Sequence, residues 1–202
     1  MAAMPEPLIL ASASPARAQL LASAGLDFRV EAAAIDEAAI RHAFKADGAG
    51  AAECAAALAE AKARRISERH PAALVIGADQ ILVREGVWFD KPADMAEARV
   101  QLQALRGKSH ALMTAACAAV AGEPIWHGLA QPRLAMRGFD DGFLDAYLAA
   151  EGSAVLGSVG AYRIEGRGVQ LFDRIDGDFF AVLGLPLLPL LAFLRDRGVL
   201  PV

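Results

Sequence analysis

Several short stretches of this sequence carry residue types suited to chemistry on phosphate. The first is Ser12-Ala13-Ser14-Pro15-Ala16-Arg17, directly after the apolar run Leu8-Ile9-Leu10-Ala11. Serine at the N-cap and proline at the first helical position start a helix. A helix start leaves backbone N–H groups unpaired and carries partial positive charge, which suits phosphate. Arg17 falls in the first turn, where a cation opposes the helix dipole. It shares a face with Leu20, Leu21 and Ala24, by i+3, i+4 and i+7 spacing. Such an arginine either meets an anion or snorkels to water.

The second stretch is Gly77-Ala78-Asp79-Gln80, where Asp79 ends the clearest buried strand, residues 74–78. An acid at that rim sits where α/β proteins place their sites. It can bind a divalent metal or accept a proton from water; the plainer alternative is an Asp that starts a turn. Gly77 allows a close approach to the backbone. Lys91-Pro92 and Lys62, the latter inside an alanine-rich helix, are ammonium groups that either meet phosphate or face solvent. The run Gly160-Ala161-Tyr162-Arg163-Ile164-Glu165-Gly166-Arg167-Gly168 reads either as backbone that approaches a ligand or as a bulged strand. It is no dinucleotide fingerprint, because no third glycine and following helix fit. His42, His70, His110 and His127 share no spacing and read as structural.

The elements that must position these residues follow from pattern and punctuation. Strands are predicted at 8–11, 28–31, 74–78, 110–120 and 129–137, with a hairpin pairing 81–83 and 87–89. Helices are predicted at 15–24, 51–69, 95–105, 140–150 and 187–197. Residues from Asp36 and Glu37 onward read as a polar, Gly-rich stretch, and residues 160–182 as extended segments with an Asp176-Gly177 turn. This is one α/β unit, residues 6–200, with mixed strands and helices on its faces. Residues 95–148 form a candidate second lobe.

Composition sets the bounds. Of 202 residues, 55% are hydrophobic and 46 are alanine. Without the alanines the apolar fraction is roughly a third, an ordinary soluble core; the alanine surplus reads as coding bias and helix preference. Lys plus Arg is 20 and Asp plus Glu is 24, a net charge of −4. That argues against a nonspecific partner among nucleic-acid polymers or anionic membranes. The longest apolar run, residues 181–194, holds Pro186 and Pro189 and falls short of the roughly 20 residues a spanning helix needs. The first seven residues lack a signal peptide's positive and apolar regions, so a cytoplasmic protein is expected. Cys54 and Cys117 have no metal-ligand or redox spacing and read as buried thiols.

Taken in order, these pieces resemble the Maf family of nucleotide pyrophosphatases. The likeness covers nearly the whole chain: Leu10-Ala11-Ser12 through Leu21, Asp36-Glu37, Lys62, Gly77-Ala78-Asp79, Lys91-Pro92, Leu105-Arg106-Gly107-Lys108 with His110, Gly160-Ala161-Tyr162 with Glu165-Gly166 and Gly168, Arg174-Ile175 with Gly177-Asp178, and Gly184-Leu185-Pro186. The resemblance implies hydrolysis of a nucleoside triphosphate to the monophosphate and diphosphate. It implies a Maf/ITPase-like α/β fold, with a long curved mixed β-sheet flanked by helices and two lobes around a central cleft. It further implies a divalent metal cation (Mg²⁺ or Mn²⁺) and often a homodimer. Asp79 matches the family's catalytic acid, the proton acceptor. Glu37 and Asp79 are the implied metal pair, and Ser12, Ser14, Arg17, Lys62 and Lys91 match positions around the phosphates. For the competing reading, a non-catalytic nucleotide-binding regulator of septum formation, the expected mark is loss of Asp79 or Lys91. Both are present.

Three positions bear on the base. Many family members have arginine, threonine and glutamine where this chain has Ala16, Gln80 and Glu165; that set goes with preference for dTTP and UTP. Gln80 with Glu165 resembles instead the branch acting on 7-methyl-GTP, which carries tryptophan at the position of Ala16. A carboxylate fits a guanine edge, because it accepts from N1–H and the exocyclic amine together. A guanine-like base, with looser discrimination beside the small Ala16, is the expectation.

Overall fold

The structure, a computed structural model, describes residues 7–201. The start of the expected domain at residue 6 and most of the amino-terminal segment lie outside the described residues. The chain begins with strand β1 (Leu8–Ala11), helix α1 (Pro15–Ser23) and the short strand β2 (Arg29–Val30). Helices α2 (Glu37–Ala46) and α3 (Ala51–Ser67) lead into the long strand β3 (Leu74–Arg84) and its hairpin partner β4 (Val87–Phe89). Helix α4 (Met95–Leu105) precedes β5 (Ser109–Val120), β6 (Glu123–Ala130) and β7 (Arg133–Met136). Helix α5 (Asp141–Glu151), β8 (Phe172–Asp176), the single-turn α6 (Phe179–Val182) and α7 (Leu187–Asp196) complete it.

The sheet is eight-stranded and mixed, in the order β2-β1-β3-β5-β7-β8, with β4 on β3 and β6 on β5. β1 runs parallel to β2 and β3; the other pairs are antiparallel. One register feature makes the site. β1 ends at Ala11, opposite Gly77, while β4 joins β3 only at Leu82. Between them, Ala78 to Ile81 have β5 on one side and no strand on the other.

Helix α3 lies unusually close over this strand. A Cβ on Gly77 would collide with the Ala59 carbonyl oxygen and lie 2.6 Å from the Ala63 nitrogen. The facing surfaces are small residues: Ala55, Ala59 and Ala63 of α3, and Ala115, Cys117 and Ala119 of β5, all buried. Four-residue spacing puts those alanines on one face of the helix. The alanine surplus therefore has a structural use beyond helix preference. The group that approaches the Gly77 backbone is a helix. Cys54 and Cys117 are buried free thiols, as expected.

The core falls into separate apolar clusters. One gathers Leu82, Leu102, Leu105, Leu134, Tyr147 and Tyr162; others hold β1, α1 and α7, or pack α3 on the sheet. The first draws on residues from Leu82 to Val182, beyond the 95–148 segment named as a candidate lobe. No described helix is long and apolar enough to cross a membrane.

Four expectations are corrected. β3 does not stop at Asp79; β5 pairs with it from Val75 to Val83, so the polar residues sit within the strand. The polar stretch after Asp36 is helix α2, capped by the Asp36 carboxylate, which accepts from the Ala39 N–H at 2.9 Å. The expected strand 129–137 is two strands, β6 and β7, each paired with a different part of β5. Pro124 lies within β6, and proline is tolerated there because β6 is an edge strand. Residues 160–182 hold two short 3₁₀ turns, strand β8 and the α-helical turn α6, so extended pairing occurs only in β8.

Candidate active site

The open edge of β3 gives onto a cleft of about 850 Å³. Every site residue singled out from the sequence lines it. Alternation along β3 sends Asp79 toward α3 and Gln80 to the opposite face. Both reach the cleft because no strand covers that edge.

The wall at the start of α1 forms as its capping residues require. The Ser14 hydroxyl caps the helix, accepting from the Arg17 N–H at 3.5 Å. Arg17 is buried, so the snorkelling alternative is ruled out. Its Nε donates to the Gly184 carbonyl at 2.9 Å, and its Nη1 donates to the Ala78 carbonyl at 2.9 Å and to Ser12 Oγ at 3.0 Å. The Ala78 carbonyl is one that a neighbouring strand would otherwise satisfy, so Arg17 seals the open edge. Nη2 has no such bond and is not sealed from solvent, which leaves two N–H groups for the cleft. Burial pushes the Arg17 guanidinium down from its ordinary range, against the pull of Asp79 and Glu37. The Gly184 motif is explained by the same contact: a Cβ there would lie 3.1 Å from Arg17 Nε.

The opposite wall is an ion network. Lys62 reaches from α3 to Asp79 Oδ1 at 2.8 Å and to Glu37 Oε1 at 2.9 Å. Asp79, only 3% exposed, also accepts at Oδ2 from Arg41 Nη2 at 3.0 Å. Arg41 stands 3.9 Å from Glu37 and 3.4 Å from Asp90, and Lys45 stands 4.0 Å from Asp90. Burial alone would raise the Glu37 carboxyl. The Lys62 hydrogen bond, with the charges of Lys62, Arg41 and Lys91, outweighs burial and holds it below the usual range. Lys91 makes no ion pair among the described residues. Burial, then the Arg17 charge, lowers its ammonium. The three carboxylates and three cations of the network balance, so Arg17 and Lys91 give the cleft its positive surplus. A chain of net charge −4 thus gathers cations locally.

On the third side, Gln80 Nε2 donates to the Ala181 carbonyl at 2.9 Å and to Thr114 Oγ1 at 2.8 Å. A backbone carbonyl only accepts, so the amide orientation is fixed and Oε1 remains as its acceptor. Glu165 is exposed and accepts at Oε1 from Arg163 Nε at 3.2 Å. Ala16 adds no bulk to this wall. The nearby glycines serve packing: a Cβ on Gly160 would meet Leu82 and Tyr162, and one on Gly168 would collide with the Arg163 carbonyl. Behind the cleft, His110 Nε2 meets Tyr162 Oη at 2.9 Å, and burial lowers His110 to about 4. His70 and His127 pair with Glu31 and Glu60, while His42 lines the cleft.

Arg41, Lys45 and Asp90 were missed from the sequence. The available signal was Asp36 as a cap, Ile40 and Phe44 four apart, and Glu37, Arg41 and Lys45 on one helical face.

The fit to a divalent cation rests on Glu37 and Asp79. No group of three or more His, Cys, Asp and Glu side chains converges among the described residues. Two carboxylates joined through Lys62 do not cage a metal alone. They suit Mg²⁺ or Mn²⁺ that completes its shell with substrate phosphate oxygens and water.

A helix N-terminus with a buried arginine, set across one cleft from a buried acid, is an arrangement in an α/β protein that suits a phosphorylated substrate. The Maf family profile, described as Maf-like protein, matches residues 7–197. The nucleoside triphosphate pyrophosphatase of Granulibacter bethesdensis is 54% identical over 195 residues, covering 96% of this chain and 99% of the relative. That of Rhodospirillum rubrum is 50% identical over 200 residues, covering 99% of each. The 7-methyl-GTP pyrophosphatase of Rhizobium meliloti is 47% identical over 193 residues, covering 96% of this chain and 97% of the relative. The chain belongs to the Maf family.

Proposed function

We propose that this chain hydrolyses a nucleoside triphosphate to the monophosphate and diphosphate, with Asp79 as the acid that orients and deprotonates the attacking water. The observation that carries this reading is the position of Asp79: almost fully buried, on the open edge of β3, facing the anion seat of α1. The activities for which the relatives above are named support it.

The α1 N-terminus, Arg17 Nη2, the Ser12 hydroxyl and Lys91 hold phosphate oxygens. A divalent cation held by Glu37 and Asp79 supplies further charge neutralisation of the polyphosphate. Lys62 fixes Asp79 and Glu37 in place. Water attacks the α-phosphorus: a P–O bond forms, the bond to the bridging oxygen breaks, and diphosphate leaves with the electron pair.

The base faces Gln80 and Glu165. Both offer acceptors, Gln80 through its locked amide and Glu165 through its carboxylate. That fits a guanine-like edge, which donates from N1–H and the exocyclic amine, and disfavours the carbonyls of uracil and thymine. With Ala16 leaving room, a modified guanine nucleotide and a house-cleaning role in the cytoplasm suit the cleft; the dimer remains an expectation of the same reading.

The test is diphosphate release with Mg²⁺ or Mn²⁺ from 7-methyl-GTP, GTP, dTTP and UTP, comparing wild type with Asp79→Asn. Release from the guanine nucleotides, lost in the variant, is expected. Faster cleavage of dTTP and UTP would overturn the base assignment. No release from any nucleotide would favour the regulator.

A further inference from the structure

Arg17 and Arg41 stand in the same cleft and differ in how fully they are committed. Arg17 makes three side-chain hydrogen bonds to groups that hold it rigidly. Arg41 makes one, to Asp79 Oδ2 at 3.0 Å. Its Nη1 is sealed from solvent with no hydrogen-bond partner, although Asp90 stands 3.4 Å away. A guanidinium nitrogen without a hydrogen bond is costly in such a place. The helix that carries Arg41 is also lightly anchored: α2 has no fully buried residue and rests on the half-buried Ile40 and Phe44. Arg41 lies between Glu37 and Lys45 on the face that lines the cleft.

Its partner matters as much. Asp79 Oδ1 is held by Lys62 and Oδ2 by Arg41. A cation that approaches Asp79 therefore meets a guanidinium already on Oδ2. A polyphosphate offers that guanidinium better acceptors, and two N–H groups can engage phosphate oxygens together.

We propose that Arg41 is a substrate-binding residue that exchanges partners: it leaves Asp79 for the polyphosphate, gains there the hydrogen bond its Nη1 lacks, and frees the Asp79 oxygen that a divalent cation needs. This rests on the functional reading above. Two effects of opposite sign follow from one side chain. Arg41 strengthens nucleotide binding, and it weakens binding of a divalent cation when nucleotide is absent.

The test uses Arg41→Gln and Arg41→Lys, with thermal melts to confirm folding. Mn²⁺ alone is titrated into each protein by calorimetry, and α,β-methylene GTP is titrated separately in the presence of Mg²⁺. For Arg41→Gln, loss of a charge-assisted contact weakens analogue binding about ten- to a hundredfold. Mn²⁺ alone binds it at least as tightly as wild type. Arg41→Lys, which keeps the charge, recovers part of the analogue affinity. Weakening of both ligands together would make Arg41 a structural strut and overturn the inference, as would unchanged analogue binding. Wild type that binds neither Mn²⁺ nor the analogue would overturn the functional reading itself.

Discussion

Replacing Lys62 by methionine isolates the contact on which the site depends. The ammonium and the Asp79 carboxylate are 8% and 5% exposed and 2.8 Å apart. At an effective dielectric of ~20, attraction across that distance is about 6 kcal/mol. Desolvation of both groups offsets most of it, so the pair's net worth is far smaller. Lys62→Met alone leaves Asp79 buried, with only Arg41 to face it. Removal of one partner of such a pair costs about 3–5 kcal/mol. Asp79→Asn costs less, because Lys62 keeps Glu37 at 2.9 Å. The double variant removes both charges and should be more stable than the two single losses imply, by about 2 kcal/mol. Urea unfolding of the four proteins, followed through Trp88 and Trp126, gives the cycle. Losses that add to within about 0.5 kcal/mol would instead show the two groups uncoupled.

Two further outcomes follow from the same structure. Gly184→Ala strains a backbone at φ +113° and crowds Arg17 Nε, so stability falls by about 1–3 kcal/mol and KM for nucleotide rises. Gly198→Ala, at φ +71° with nothing within 4 Å, should lose stability without moving KM; equal KM values in the two variants would count against the Arg17 clamp. His110 stays neutral in the fold down to about pH 4, against an ordinary value of 6.5. Its contribution is full above pH 6.5 and is lost as pH falls toward 4, a span of about 3 kcal/mol. Wild type should therefore lose more stability over that window than His110→Gln, and parallel stability–pH curves would contradict this.

The site was legible where its determinants are local. Ser14 and Pro15 start a helix, Gly25 and Gly198 stop helices, and Asp140 caps one, each through its own backbone chemistry. Arg41 was not legible, because its helix looked like a polar loop and its partner Asp79 lies 38 residues away. The course of β3 past Asp79 is decided by β5, a non-local partner. Gly77 signalled a close approach, but only the fold shows that helix α3 makes it. Gly160 and Gly168 likewise answer to Leu82, Tyr162 and Arg163, and such packing leaves no periodic trace.

In the proposed hydrolysis Asp79 directs water to the α-phosphorus. Hydrolysis in heavy-oxygen water tests it, with mass analysis of both products for wild type and Asp79→Asn. One heavy oxygen in the monophosphate and none in the diphosphate is predicted, with turnover lost in the variant. Heavy oxygen in the diphosphate, or undiminished turnover by Asp79→Asn, would contradict it.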